Sequence, residues 1–208
     1  MLTFTNKVVL VIAPHLDDVE LGMGGTLSRI SRSQPKEVYY LGLSLPPNID
    51  NDDYMDEFWA SNKNFNIPRE NYTLKSYDPR DLFSNRIDIL QLMYDINKKY
   101  KPDIVFIPNS QDVHQSHQCV HQEAVRVYKN STIFGYELPW NSFKMNMDVF
   151  ISLDEVDVAI KQAAINSFGS QFDRSFFAND ILSSLAKVRG KQVNKDYAEC
   201  FELIRMVC

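Results

Sequence analysis

Apolar residues along this chain come in two rhythms. Short runs rich in β-branched and aromatic residues, "VVLVIA" (8–13), "EVYYLGLSL" (37–45), "NYTLKSY" (71–77), "DIVFIPN" (103–109), "TIFGYEL" (132–138) and "DVFISL" (148–153), recur between stretches whose apolar positions fall three or four apart. The first rhythm is that of strands, several of them apolar enough to be buried on both faces, and the second that of helices laid on a sheet. A helical stripe begins at about Ser84, carries Ile87, Leu90, Met93 and Ile96 on one side and is stopped by Pro102; another runs from about His117 to Tyr128. "SLDE" (152–155) reads as a capping box that opens a helical region ending near Gly190, and "CFELIRMV" (200–207) reads as a last strand. Strands alternating with helices predict an α/β fold: a Rossmann-like open sheet, mostly parallel, with helices on both faces. No repeat, linker or low-complexity stretch divides the chain, so one domain spanning 1–208 is expected. The least regular segment, "PPNIDNDD" (46–53), leaves the second strand and reads as a mobile rim.

Composition removes several function classes. With 44% hydrophobic residues over 208 positions the chain can bury one core, and a formal net charge of −5 argues against nucleic acid as a partner. Cys119, Cys200 and Cys208 are odd in number and form no CxxC pair, which disfavours a disulfide framework and points to a reducing, cytoplasmic setting. No basic leader precedes an apolar stretch, and no run approaches the ~20 apolar residues of a membrane span. A homo-oligomer stays open.

The chemistry sits where two strands end. "APHLDDVELGMGGT" (13–26) follows the first strand and "SQDVHQSHQCVHQ" (110–122) follows the fourth, and together they hold all four histidines of the chain, His15, His114, His117 and His121. In a 3-2-1-4 strand order the crevice at the reversal point lies between strands one and four, so the two segments face each other. One histidine alone would read as a core residue and one aspartate alone as a helix cap. The cluster reads as a site for metal or acid–base chemistry. Imidazoles with a carboxylate and no thiolate pair suit zinc held by three protein ligands, and iron(II) suits the same donors. Asp17 and Asp18, adjacent in an extended loop, point in opposite directions, so one can ligate while the other faces water. The glycines of "GMGG" (22–25) compete for a dinucleotide-binding role, but their spacing is wrong and two aspartates would repel a pyrophosphate. They read instead as a tight turn and close helix packing.

The two segments resemble the motifs of the PIG-L/LmbE-like family of zinc-dependent N-deacetylases, which usually read A-H-P-D-D-E-x-x-G-x-G-G and D-x-H-x-D-H. "YELPW" (136–140), "FGSQFDR" (168–174) and "AKVRGKQVNKDYAECFELIR" (186–205) look like later blocks of that family, so the resemblance covers most of the chain. Residue by residue, it implies that His15, Asp18 and His117 hold the metal, that Asp17 is the general base, and that a protonated His114 supports the tetrahedral intermediate. Asp112 is expected to touch substrate or orient a histidine. His121, four residues after His117, offers a rival H-x-x-x-H ligand pair, set aside because Cys119, Val120, Ala124 and Val127 mark its helix as packed in the core.

The implied reaction is hydrolysis of the acetamide of a small N-acetylated sugar, of N-acetylglucosamine type, or its conjugate. Tyr136, Glu137 and Trp140 are rim candidates for the rest of the substrate. Leu16, Val19 and Ser116 replace the family's usual proline, glutamate and aspartate, which leaves a catalytically weakened sugar-binding relative as the second reading; a nicotinamide-dependent oxidoreductase on the same architecture is the third. A loop at a crevice mouth would tolerate Val19→Glu.

Overall fold

The computed structural model describes residues 2–45, 51–171, 173 and 181–208. Among the described residues seven strands form one sheet: β1 (Val8–His15), β2 (Glu37–Ser44), β3 (Tyr72–Tyr77), β4 (Ile104–Pro108), β5 (Thr132–Tyr136), β6 (Val149–Leu153) and β7 (Tyr197–Arg205), in the order β3-β2-β1-β4-β5-β7-β6. The first five are parallel, while β7 runs antiparallel between β5 and β6. The α/β, mostly parallel sheet expected from the two rhythms is therefore present, with the strand-order reversal between β1 and β4.

The central strand shows why an unbroken apolar run is the correct signature. Val9, Val11 and Ala13 enter one core layer and Leu10 and Ile12 the other, each at most 1% exposed. The first layer is covered by α1 (Asp18–Arg32), α2 (Asn51–Asn62), α5 (Glu155–Ile165) and α6 (Ile181–Gln192); the second by α3 (Arg86–Tyr100) and α4 (Gln115–Val127). The α3 stripe differs by one member: Ile89, Met93 and Ile96 are buried, whereas Ile87 is 80% exposed.

Two local readings are corrected. The helix after β6 is capped by Asp154, not Ser152, because the strand runs on through buried Leu153; Asp154 N donates to Asp157 Oδ2 at 3.0 Å. Of the expected rim, 51–53 begin α2, while 46–50 lie outside the described residues. Positions 172 and 174 of the "FGSQFDR" block lie outside them too. Among the described residues no helix is long and apolar enough to cross a membrane.

Candidate metal centre and its surroundings

The carboxyl end of β1 is pinned before it delivers its histidine. His15 closes the strand opposite Ser44 of β2, and Ser44 Oγ donates to Pro14 O at 2.6 Å. The chain then turns into α1 at once. Asp17 is the N-cap and Asp18 the first helical residue, both 5% exposed, so the extended loop expected for this pair is replaced by a helix start. Asp18 folds back on the strand end: its Oδ2 accepts from His15 N at 2.8 Å.

Helix α1 breaks at Met23 (φ −145°, ψ 21°) and resumes. The restart exposes backbone N–H groups that need acceptors. Glu199 of β7 supplies them, accepting from Gly25 N at 3.1 Å and Thr26 N at 2.6 Å, while Lys161 Nζ of α5 donates to the same carboxylate at 2.6 Å. The glycines thus lie in a kinked helix and form no tight turn, but the close packing expected of them is real. A side chain at Gly22 would meet Tyr136 Cδ2 at 2.6 Å, and one at Gly25 would meet Leu153 Cδ1 at 2.5 Å.

From the other strand, β4 runs into Asn109, whose Nδ2 donates to Tyr136 O (3.0 Å) and Ser142 Oγ (2.7 Å). Asp112 follows, 1% exposed, with Oδ1 accepting from His114 N at 2.9 Å and Oδ2 lying 2.8 Å from His117 Nδ1. Both carboxylate oxygens are thereby engaged inside the protein, one of them by the His117 ring. His114 is the N-cap of α4, and its Nδ1 accepts from Ser116 N at 3.3 Å.

His15 Nδ1, Asp18 Oδ2 and His117 Nε2 converge across the crevice. Their separations are 3.0 Å (His15 to Asp18), 3.1 Å (His15 to His117) and 3.2 Å (Asp18 to His117). Tetrahedral ligands at zinc bond lengths stand about 3.3–3.5 Å apart. The triangle therefore fits an ion of that size with a small outward relaxation, and its two imidazoles and one carboxylate fit zinc or iron(II) chemically. The ring nitrogens of His15, His114 and His117 also lie within 4.8 Å of one another. His121 is turned elsewhere, with Nδ1 2.9 Å from Pro108 O.

Electrostatics sort these groups. Burial opposes charge on Asp18, but the imidazoles of His117 and His15 outweigh it and hold the carboxyl well below the usual range. Burial likewise opposes charge on His117, yet the Asp18 and Asp112 carboxylates push it up to about 10. His114 moves the other way, down to about 4, through burial and the two neighbouring imidazoles. With Nδ1 accepting from Ser116 N, neutral His114 carries its proton on Nε2.

Sequence reasoning missed Glu20. It is fully buried, takes Asn62 Nδ2 at 2.8 Å and Tyr40 OH at 3.2 and 3.3 Å, and burial pushes its pKa up to about 8. A signal was present: in a helix starting at Asp18, Glu20 stands three positions after Asp17. The rim candidates fare unevenly. Tyr136 is a core residue whose OH donates to Ile12 O at 3.1 Å, Glu137 is paired with Arg189, and Trp140 packs partly buried against the core. Leu16 and Val19, both 0% exposed, are core residues, and Ser116 Oγ donates to Pro79 O, so the three departures from the family pattern have structural places.

No protein-family model matches the chain. In sequence it is 27% identical over 172 residues to an uncharacterized deacetylase, YaiS, of Escherichia coli (strain K12), covering 79% of this chain and 91% of that protein. In structure it is similar to a conserved protein of Thermus thermophilus (TM-score 0.80, 20% identity, 96% of this chain and 95% of that one). It is also similar to the N,N'-diacetylchitobiose deacetylase of Pyrococcus horikoshii (TM-score 0.72, 18% identity, 95% and 84%). The same fold appears in a 4-carboxy-2-hydroxymuconate hydratase of Pseudomonas putida KT2440 (TM-score 0.78, 16% identity, 97% and 98%), so architecture alone does not select the reaction. The resemblance read from the two polar motifs is borne out: the relatives of this chain in sequence and in fold include deacetylases of the PIG-L/LmbE type.

Proposed function

We propose that residues 1–208 form one metal-dependent N-deacetylase domain that hydrolyses the acetamide of an N-acetylated sugar or its conjugate. The observation that carries this reading is the triangle of His15, Asp18 and His117 donor atoms, 3.0–3.2 Å apart at the sheet's reversal point. The named activities of the E. coli relative and the chitobiose deacetylase supply the reaction class.

In this reading His15, Asp18 and His117 hold a zinc or iron(II) ion. Such an ion, when bound, polarises an amide carbonyl and makes water acidic enough to lose a proton near neutral pH. Asp17, buried at the start of α1 beside Asp18, takes that proton and passes it to the departing amine. The Nε2–H of His114 donates to the carbonyl oxygen as charge builds on it; a preset donor of this kind serves without moving at the moment of reaction. Asp112 keeps the His117 ring turned so that Nε2 faces the crevice. The products are acetate and a free amine.

The glycines of α1 weigh against the oxidoreductase reading, because Tyr136, Leu153 and Lys161 side chains already stand where a pyrophosphate would approach. Elemental analysis of the purified chain, paired with an amine-release assay on a panel of N-acetyl sugars, tests the proposal. One divalent metal per chain and metal-dependent amine release are expected. Tight metal binding without release from any member would replace it with the non-catalytic sugar-binding reading.

A further inference from the structure

The first stretch of α1 carries two of the groups assigned above, yet it has little to hold it in place by itself. It runs only from Asp18 to the break at Met23. A helical piece of little more than one turn has no stability of its own, so its orientation is set by what it packs against. On one side Gly22 lies close against Tyr136, and Val19 and Leu21 enter the core. On another side the contact is polar.

Glu20 is the source of that contact. Its carboxyl, 0% exposed, takes Asn62 Nδ2 of α2 at 2.8 Å and Tyr40 OH of β2 at 3.2 Å. Asn62 is fixed in turn: Nδ2 also donates to Phe58 O at 3.0 Å, and Oδ1 accepts from Tyr72 OH of β3 at 3.1 Å. Four elements of the fold, α1, β2, α2 and β3, are joined through this one carboxyl. An apolar side chain at position 20 would fill the volume and avoid the cost of burying a carboxyl. It would not fix direction, since hydrogen bonds constrain angle and apolar packing does not.

Resting on the metal reading above, we infer that Glu20 is a positioning residue for Asp17 and Asp18, acting through the Glu20–Asn62–Tyr72 relay with Tyr40 as its second donor. It touches neither ion nor substrate. It sets the pitch of the short helix so that Asp18 Oδ2 stays in the triangle and Asp17 stays beside it.

The test compares Glu20→Met, which keeps the volume and removes the acceptors, with Glu20→Gln, which keeps one acceptor oxygen, and with Tyr72→Phe, which removes the far donor. Zinc affinity is read by competition with a chromogenic chelator, kcat and KM are read on an N-acetyl sugar, and melting curves show that each variant is folded at the assay temperature. Glu20→Met is expected to bind zinc about tenfold or more weakly and to lose kcat with little change in KM, while Glu20→Gln recovers most of both. Tyr72→Phe should shift zinc affinity in the same direction by less, and it decides the matter if Glu20→Met does not fold. Folded Glu20→Met with unchanged zinc affinity, or Glu20→Gln as impaired as Glu20→Met, would overturn the positioning role alone. A wild-type chain that binds no metal would sink the reading beneath it instead.

Discussion

Asp112 Oδ2 lies 2.8 Å from Nδ1 of His117, and both side chains are almost wholly buried, at 1% and 2% exposure. The contact fixes which imidazole nitrogen faces the crevice, because Nδ1 is committed to the carboxylate and only Nε2 is left for Asp18 and His15. Asp112→Asn keeps the shape but weakens the acceptor and can present an amide N–H to the ring. It is expected to lower zinc affinity by about 10- to 100-fold, measured by chelator competition. Unchanged affinity, combined with a raised KM, would return Asp112 to the substrate-contact role that sequence first offered.

Asp17 caps α1 with its backbone, accepting from Leu21 N at 2.9 Å, and its side chain makes no cap hydrogen bond. An amide matches a carboxylate in shape, so Asp17→Asn should leave the fold and the metal site intact while removing the proton acceptor. A loss of ~10²- to 10⁴-fold in kcat is expected, with metal content and melting temperature near wild type. Turnover within a few-fold of wild type would refute the general-base role.

His117 and His121 share one face of α4 but end in different places, the first in the donor triangle and the second at Pro108 O. His117→Ala should strip the metal, and His121→Ala should retain it. Metal content by atomic emission separates them, and the reverse pattern would mean that the i, i+4 pair is the true ligand set.

The crevice was legible because its signal is local: a strand's apolar run ends abruptly in histidines and carboxylates, twice, and the topology that makes those ends meet follows from strand order. The start of α1 was not legible for a physical reason. Glycines at 22, 24 and 25 argue against helix by propensity, and what sustains the helix across its break at Met23 is Glu199, 173 and 174 positions away from the amides it accepts from. Glu20 was missed through the same error, since its relation to Asp17 appears only once the helix is placed at Asp18. Tyr136 shows the converse: an aromatic next to the site that belongs to the core, a distinction that depends on Ile12 O and Gly22 and not on neighbours in sequence.

The three thiols should differ sharply in reactivity. Cys119 and Cys200 are buried, and burial pushes them up to about 11 and about 12, whereas Cys208 is exposed. A raised thiol pKa leaves less thiolate at any pH below it, and the thiolate is the reactive form. Iodoacetamide at pH 8 on the native chain should therefore label Cys208 alone, and Cys208→Ser should abolish the reaction until denaturant is added. Rapid native labelling of Cys119 would mean that α4 opens from the sheet far more readily than its burial implies.

Val19 is where sequence and structure part most plainly. As part of a loop at a crevice mouth it would accept a glutamate, with solvent or backbone donors to satisfy the charge. It is instead the second residue of α1, 0% exposed within the core layer that α1 shares with α2 and α5. A carboxylate there would join three others at positions 17, 18 and 20, all at most 5% exposed. The imidazoles that stabilise Asp18 are already committed to it, and the donors from Tyr40 and Asn62 are taken by Glu20. An unpaired buried charge costs roughly 3 kcal/mol or more, and protonation of the new group would relieve only part of that. For a chain of this length the melting temperature of Val19→Glu should fall by about 6–12 °C, and zinc affinity should fall with it as α1 shifts. Val19→Ile, which keeps the site apolar, should melt within a few degrees of wild type. A Val19→Glu protein that melted like wild type and bound zinc more tightly would show that α1 yields at its first turn, and would restore the loop reading against the packed helix.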